Sequence, residues 1–343
     1  MNIQALLNTL GTRCRTLPLV ILYVTEGCNL RCITCSYRTP LPNELTLAEI
    51  VRLAEGLGKL GLRHIVYSGG EPLMRRDLPE ICHAFGQWQV RQSLLTNGLL
   101  LEKRFGEIRS FLHEIIVSLD GPTDAIHDTI RGAEAFHRIL RGIRAVTDMH
   151  ERPQVSLRTV VQKQNFRSLP EMVRLARDLG VDRISFLAAD VLSDSFGRAG
   201  MVTTPQQDDI LLTADETREF AGILEEMRGA FQKEFESGFI AESLEKLNHI
   251  LQYYEALLGL RSFPPTVCNA PMVSTVITSA GDLLPCFFLP GFSNVRNGEL
   301  GNLLNGAGIR STREEVRHGL LDRCKTCVCT LQVSPAAAFA GRF

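Results

Sequence analysis

The chain of 343 residues has a formal net charge of -1, with 37 Lys and Arg against 38 Asp and Glu, so its charge favours neither a nucleic-acid partner nor a membrane surface. Hydrophobic residues make up 45% of the sequence, no run of eighteen apolar residues occurs, and residues 1–17 lack the long apolar core of a signal peptide. We therefore expect a cytoplasmic protein with one large domain and a smaller one.

Strand-like and helix-like patterns alternate through the first half of the chain. The predicted strands cover residues 19–24, 63–67, 92–96, 114–119, 154–161 and 183–188. The predicted helices cover residues 46–60, 77–89, 102–112, 135–149 and 169–179, and the first opens with a capping box from Thr46 to Glu49. Because parallel strands need crossover helices, this order predicts an α/β fold with a partial (β/α)6 parallel barrel. Reactive groups in such barrels collect on loops where the strands end.

Three cysteines follow the first strand with the spacing C-x3-C-x2-C: Cys28, Cys32 and Cys35. Three thiolates occupy three corners of a cubane iron-sulfur cluster and leave one iron without a protein ligand, which is the arrangement of a catalytic site. A zinc site would need a fourth thiol or imidazole nearby, and the nearest, His64, lies far along the chain. A disulfide would leave one cysteine unpaired.

This spacing resembles the signature of the radical S-adenosylmethionine (radical SAM) superfamily, whose 4Fe-4S cluster chelates S-adenosylmethionine. The resemblance implies that these three cysteines are the metal ligands and the catalytic centre. The residue before the third cysteine is commonly aromatic in that family, whereas it is Thr34 here. Whether Tyr37 takes its place is open at this point.

The second predicted strand runs into Gly69, Gly70 and Glu71. Glycines let the backbone approach a ligand closely, although Gly-Gly-Glu-Pro by itself is more often a turn. One strand after the cysteine loop, it resembles the superfamily's Gly-Gly-Glu element. The resemblance implies that these residues hold the amino group of S-adenosylmethionine.

Further candidates for binding the cofactor follow later strands. Asn97, Ser118 and Asp120 stand at the ends of the third and fourth strands, where similar segments of radical SAM proteins line the ribose site, although a turn remains the alternative for Asn97. Residues 127–131 resemble a stretch that supplies an arginine for the methionyl carboxylate. That points to Arg131, with Arg158 on the fifth strand as the competitor.

A second group of cysteines lies near the end of the chain. Cys268, Cys286, Cys324 and Cys327, with a predicted hairpin over residues 275–288, resemble the additional domain of the SPASM and twitch subgroups. No cysteine follows Cys329, which favours the shorter twitch form with one auxiliary 4Fe-4S cluster on the first four thiols. Three roles stay open for Cys329: a ligand, a free thiol or a packing residue. Because four thiolates also suit a zinc ion, a zinc site is the alternative for the whole group.

These patterns divide the chain into four parts. Residues 1–16 are an N-terminal extension, residues 17–200 the radical SAM core barrel, residues 201–262 a helical linker and residues 263–343 a small cysteine-rich domain with a hairpin and helices.

The resemblance implies an enzyme with two 4Fe-4S clusters that takes one electron from an external donor such as flavodoxin or ferredoxin. It would cleave S-adenosylmethionine to a 5'-deoxyadenosyl radical and remove hydrogen from a substrate, with net oxidation through the auxiliary cluster. Only about sixteen residues precede the first strand, so no peptide-recognition domain is expected there and a small, polar or sugar-like substrate is favoured.

The alternatives are a ribosomal-peptide maturase, a decarboxylase or epimerase acting on a natural-product intermediate, and a non-catalytic iron-sulfur or zinc protein. The loop at residues 188–195 either contacts the substrate or is a solvated surface.

Overall fold

A single sheet of nine strands organises the computed structural model, which describes residues 3–198, 200 and 204–340. The strands are β1 Leu19–Thr25, β2 His64–Gly69, β3 Arg91–Thr96, β4 Glu114–Ser118, β5 Gln154–Val161, β6 Arg183–Ala188, β7 Ser274–Ile277, β8 Asp282–Leu284 and β9 Ser293–Asn294. Their order across the sheet is β6-β5-β4-β3-β2-β1-β7-β8-β9.

The first six strands form the predicted parallel barrel. Each strand from β1 to β6 pairs in parallel with the next one in the chain, and β6 lies at the edge of the sheet, so the barrel stays open. The predicted α/β fold is therefore confirmed. Because all six strands point the same way, their carboxyl ends meet at one rim.

Helices connect these strands and cover the sheet. They are α1 Ile3–Leu10, α2 Leu47–Lys59, α3 Leu78–Gly86, α4 Leu101–Ile108, α5 Asp124–Arg131, α6 Phe136–Thr147, α7 Leu169–Asp178, α8 Thr204–Ile210, α9 Ala214–Ala230, α10 Gln232–Glu236, α11 Leu244–Leu257, α12 Ala270–Val273, α13 Leu300–Leu303, α14 Ala307–Arg317, α15 Asp322–Lys325 and α16 Pro335–Ala340.

Helix α2 shows how the local sequence sets these elements. The Thr46 side chain accepts a hydrogen bond from the Glu49 amide, and Glu49 accepts one from the Thr46 amide at 2.8 Å, as the capping box predicts. Apolar residues then recur three and four positions apart, and this face of the helix is buried: Ile50, Leu53, Ala54 and Leu57.

Two elements differ from the predicted pattern. Between β4 and β5 the chain forms the short helix α5 before α6, where one helix starting at residue 135 was expected. The second strand of the hairpin that was predicted over residues 275–288 is short. β8 ends at Leu284, just before Pro285, which has no amide hydrogen for a further ladder bond.

The C-terminal strands extend the main sheet, which the sequence did not predict. β7 pairs in parallel with β1, and β8 and β9 follow it in antiparallel order. The buried Arg313 adds a second connection between the C-terminal region and the start of the chain, since its guanidinium donates to the carbonyls of Thr12, Pro271 and Leu304.

Within residues 3–198, 200 and 204–340, no helix combines the length and the apolar character that crossing a membrane requires.

Candidate active site

The three cysteines after β1 line one cavity of about 260 Å³ at the rim of the barrel. Hydrogen bonds within the loop hold it in place. The Cys28 amide donates to the Arg38 carbonyl at 3.0 Å, and the Arg38 guanidinium donates to the carbonyls of Cys32 and Cys35. Burial raises the pKa of Cys28 to about 11 and also raises the pKa of Cys35. The loop thus holds three half-buried thiols at one cavity.

Two glycines at the end of β2 allow the next loop to press against the cysteine loop. The Gly70 amide donates to the Thr25 carbonyl at 2.8 Å, and Gly69 has a φ of 115°. A Cβ atom on Gly70 would lie 2.3 Å from the carbonyl oxygen of Gly27. Both Gly69 and Gly70 line the cavity, and their lack of side chains is what permits this approach.

Glu71 lies behind the cavity wall and is fully buried. Its carboxylate accepts hydrogen bonds from the Leu73 amide at 3.0 Å, the Thr96 hydroxyl at 2.7 Å and the Asn97 amide at 2.7 Å. Burial raises its pKa, although these donors oppose the rise. Glu71 therefore joins the ends of β2 and β3, a role that the sequence did not indicate, while its contact with an amino group stays a prediction.

The remaining residues that were predicted to bind S-adenosylmethionine also line the cavity. Asn97 donates to the Asn29 side chain at 2.7 Å, and Ser118 makes no side-chain hydrogen bond within the described residues. Arg131 forms a buried ion pair with Asp120, with Arg131 Nη2 at 2.6 Å from Asp120 Oδ2. The structure thus brings all but Glu71 of the predicted residues of the first site to one cavity.

Arg131 also faces the cysteine loop. Its Nη1 lies 3.6 Å from Cys32 Sγ, and its buried Nε has no hydrogen-bond partner. Beneath the ion pair, the buried His127 accepts a hydrogen bond at Nδ1 from the Asp120 amide at 3.2 Å. Burial and the charge of Arg131 lower the pKa of His127 to about 3.

Sequence reasoning missed an aromatic wall that lines the same cavity. We use this name for five rings in successive contact: Tyr37, Tyr23, Phe287, Phe288 and Phe196. The ring centroids lie 5.9 Å apart for Tyr37 and Tyr23, 6.3 Å for Tyr23 and Phe287, 6.3 Å for Phe287 and Phe288, and 6.1 Å for Phe288 and Phe196. The pair Phe287-Phe288 next to Cys286 was the one sequence signal that pointed to it.

The loop after β6 holds the last of these rings in place. The Phe196 carbonyl accepts from the Ser36 amide at 2.9 Å, and the Ser195 hydroxyl donates to the Phe287 carbonyl at 2.7 Å. Asp190 pairs with Arg198, and both side chains are over nine-tenths buried. The loop is therefore a packed strap between the cysteine loop and the C-terminal region, not a solvated surface.

The five C-terminal cysteines line a second cavity of about 80 Å³: Cys268, Cys286, Cys324, Cys327 and Cys329. Burial raises the pKa of Cys286 to about 11 and raises that of Cys329, where the charge of Arg158 opposes the rise. Cys329 also lines the first cavity, as do Phe287 and Phe288. These three residues form the partition between the two cavities.

Both sets of thiols are of the kind that binds iron-sulfur clusters. Across the part of the chain that the structure describes, no group of three or more His, Cys, Asp or Glu side chains is placed to bind one metal ion. The cysteines line cavities, with Cys28, Cys32 and Cys35 at the first, all five C-terminal cysteines at the second, and Cys329 shared by both. Such donor sets fit 4Fe-4S clusters, with one iron left open at the first site.

Comparisons with known proteins agree with this geometry. Residues 22–186 match the model of the radical SAM superfamily, and residues 268–328 match that of SPASM, an iron-sulfur cluster-binding domain. The chain belongs to the radical SAM superfamily. Radical SAM domains bind a 4Fe-4S cluster and S-adenosylmethionine, and SPASM domains bind auxiliary iron-sulfur clusters, so both predicted cofactor types are confirmed.

Curated relatives of this radical SAM protein carry the names of enzymes. Fe-coproporphyrin III synthase from Methanosarcina barkeri is 32% identical over 240 residues, which cover 68% of this chain and 56% of the relative. GTP 3',8-cyclase from Marinobacter nauticus is 37% identical over 180 residues, which cover 50% of this chain and 54% of the relative. The chain thus spans about half the length of these relatives.

Solved structures show the same fold at low sequence identity. SuiB of Streptococcus suis bound to its precursor peptide SuiA matches with a TM-score of 0.63 at 16% identity, covering 94% of this chain and 74% of SuiB. Native anSMEcpe with bound AdoMet and Cp18Cys peptide matches with a TM-score of 0.62 at 17% identity, covering 96% of both chains.

Proposed function

We propose that this radical SAM protein is an oxidoreductase that cleaves S-adenosylmethionine reductively and removes hydrogen from a small-molecule substrate. One observation carries the proposal: Cys28, Cys32 and Cys35 line a single cavity together with Gly69, Gly70 and, except for Glu71, the other residues predicted to bind S-adenosylmethionine.

The chain's own residues position the reactants. Cys28, Cys32 and Cys35 hold the cluster, and the backbone of Gly69 and Gly70 borders the space beside it. Arg131 lies against Cys32 and supplies a cation for the methionyl carboxylate. When bound, the reduced cluster and S-adenosylmethionine supply a 5'-deoxyadenosyl radical. The strap after β6 and the aromatic wall shield this space from water.

The C-terminal cysteines hold the auxiliary cluster in this proposal. Cys268, Cys286, Cys324 and Cys327 are the ligands, and Cys329 belongs to the partition. The auxiliary cluster would supply an electron acceptor for net oxidation of the substrate. An external one-electron donor, such as flavodoxin or ferredoxin, completes the requirements.

The nature of the substrate is the second part of the proposal. The names of the two curated relatives, a coproporphyrin synthase and a GTP cyclase, agree with small molecules. A peptide-maturing activity is the alternative, because SuiB shares the fold and was solved with a precursor peptide. Decarboxylation and epimerisation are further outcomes of the same radical chemistry.

Anaerobic reconstitution tests the radical chemistry. We expect about eight irons per chain and 5'-deoxyadenosine on addition of dithionite and S-adenosylmethionine, detected by mass spectrometry. Replacing Cys28, Cys32 and Cys35 together by alanine should remove about four irons and all 5'-deoxyadenosine. The matched control is Cys14→Ala, which changes a buried cysteine outside both groups. A fully loaded protein that forms no 5'-deoxyadenosine would refute the proposal.

A further inference from the structure

The cavity contains one arginine without a direct ion pair. Arg158 on β5 lines it, and its only hydrogen bond within the described residues is a long one of 3.4 Å from Nε to the Ser185 hydroxyl. No carboxylate of the described residues lies within salt-bridge distance of Arg158, although its charge opposes the rise that burial causes in the pKa of Glu242. An arginine that lines a cavity without a direct ion pair is suited to bind an anion from outside the chain.

Arg131, unlike Arg158, has a direct ion pair. It is paired with Asp120 at 2.6 Å and lies 3.6 Å from Cys32 Sγ, so it stands at the cysteine loop. Arg158 lines the same cavity from β5, and no hydrogen bond joins it to the cysteine loop within the described residues. The two arginines that competed for one role in the sequence therefore have different partners, and Arg158 is left for a second ligand.

Several other polar side chains of the cavity already have partners. Asp190 is paired with Arg198, Asp120 with Arg131, and Asn97 with Asn29. Three hydroxyl side chains also line the cavity, those of Thr34, Ser68 and Ser118, and Ser118 is predicted to face the ribose of S-adenosylmethionine. Arg158 is thus the one charged side chain of the cavity, among the described residues, that has no direct ion pair.

The aromatic wall supplies an apolar surface in the same cavity. Phe287 and Phe288 belong to the partition that Cys329 completes, and Phe288 contacts Phe196 of the strap at 6.1 Å. Aromatic side chains bind flat apolar groups through large contact areas and stacked or edge-to-face packing. One cavity thus presents both an apolar aromatic surface and an arginine without a direct ion pair.

We propose that the substrate is a carboxylic acid with an aromatic or other flat apolar body, whose carboxylate pairs with Arg158 and whose body contacts Phe196, Phe287 and Phe288. This inference rests on the proposed function, because it names the substrate class of the same cavity. It replaces the polar or sugar-like substrate that the sequence favoured.

Isothermal titration calorimetry on the anaerobically reconstituted protein with S-adenosylmethionine tests the inference. The probes are 3-phenylpropanoate, its uncharged amide 3-phenylpropanamide, and gluconate as a sugar-like acid. We expect 3-phenylpropanoate to bind at least about tenfold more tightly than either of the others, since a charged hydrogen bond is worth roughly a factor of ten or more.

Variants then assign the contacts. Arg158→Gln should reduce the affinity for 3-phenylpropanoate to that of the amide. Arg158→Lys should retain part of the preference for the acid over the amide, and this second variant keeps the test valid if Arg158→Gln fails to fold. Phe288→Ala should weaken 3-phenylpropanoate about fivefold or more. Arg141→Gln, at an exposed arginine on α6, should bind all three probes like the unaltered protein.

The outcomes separate this inference from the proposed function. Equal affinity for acid and amide, tighter binding of gluconate, or an Arg158→Gln variant that keeps the preference would each overturn the inference. Loss of affinity for S-adenosylmethionine in Arg158→Gln, with the preference for 3-phenylpropanoate intact, would do the same. Formation of 5'-deoxyadenosine by the unaltered protein is scored separately, and its absence counts against the proposed function alone.

Discussion

Arg131 at the end of α5 and Asp120 after β4 form an ion pair in which Nη2 and Oδ2 are 2.6 Å apart and both side chains are largely buried. Asp120 also accepts a hydrogen bond from the Val160 amide at 2.8 Å, and Arg131 reaches Cys32 on its other side. One pair of charges thus links β4, β5, α5 and the cysteine loop.

Asp120→Asn should destabilise the protein by about 3 to 5 kcal/mol, because Arg131 would stay buried without a counter-ion. Thermal unfolding of the reconstituted protein under anaerobic conditions measures the loss. Asp178→Asn, at an exposed aspartate on α7, is the control and should unfold like the unaltered protein. Equal unfolding temperatures for Asp120→Asn and the control would show that the pair contributes nothing.

His127 should make the stability depend on pH. Its pKa is lowered to about 3 in the folded protein, mainly by burial, whereas an unfolded histidine titrates near 6.5. Below pH 6.5 the unfolded chain binds a proton at this histidine and the folded chain does not. The contribution of His127 to the free energy of unfolding is therefore fully present above pH 6.5, and it is lost at about 1.4 kcal/mol per pH unit as the pH falls toward 3.

Comparison of His127→Asn with the unaltered protein at pH 7.5 and 5.5 measures this contribution. Asparagine keeps an acceptor for the Asp120 amide but does not titrate, so its unfolding temperature should fall less between the two pH values. His150→Asn, at an exposed histidine, should retain the full decrease. A decrease in His127→Asn as large as in the unaltered protein would contradict the assignment.

Two glycine-to-alanine substitutions should change the free energy of unfolding in opposite directions. Gly70→Ala places a methyl group 2.3 Å from the Gly27 carbonyl oxygen and should cost about 1 to 3 kcal/mol. Gly222→Ala, in the interior of α9 with open space around it, should stabilise by about 0.5 to 1 kcal/mol. Thermal unfolding of both variants gives the comparison, and an unchanged Gly70→Ala would show that the two loops can separate at no cost.

The auxiliary site should lose its iron selectively. Replacing Cys324 and Cys327 by alanine should lower the iron content from about eight to about four per chain, because these thiols line the second cavity and not the first. Cys329→Ala should keep about eight, since we assign this thiol to the partition. Chemical iron analysis measures both, and equal losses in the two variants would make Cys329 a ligand.

The features that sequence predicted best were those with local causes. The alternation of strands and helices follows from short-range hydrophobic patterns, and the capping box of α2 involves residues three apart. The spacing of Cys28, Cys32 and Cys35 is itself a local feature, so their common cavity could be anticipated.

Contacts between distant segments could not be derived in this way. Nothing near Glu71 indicates that Thr96 and Asn97 would bind its carboxylate, and nothing in β7 shows that it pairs with β1. The aromatic wall combines residues more than 250 positions apart, from Tyr23 to Phe288, so only the folded chain shows that they share a surface.

The position of β1 between β2 and β7 ties the two cysteine-rich regions into one sheet. A chain cut before β7 would expose the backbone hydrogen-bonding groups along one side of β1, the strand that carries the cysteine loop. Exposed strand edges pair readily with other chains. Shortened versions of this protein that omit the C-terminal region should consequently aggregate, and for biochemical work the two regions should be produced together.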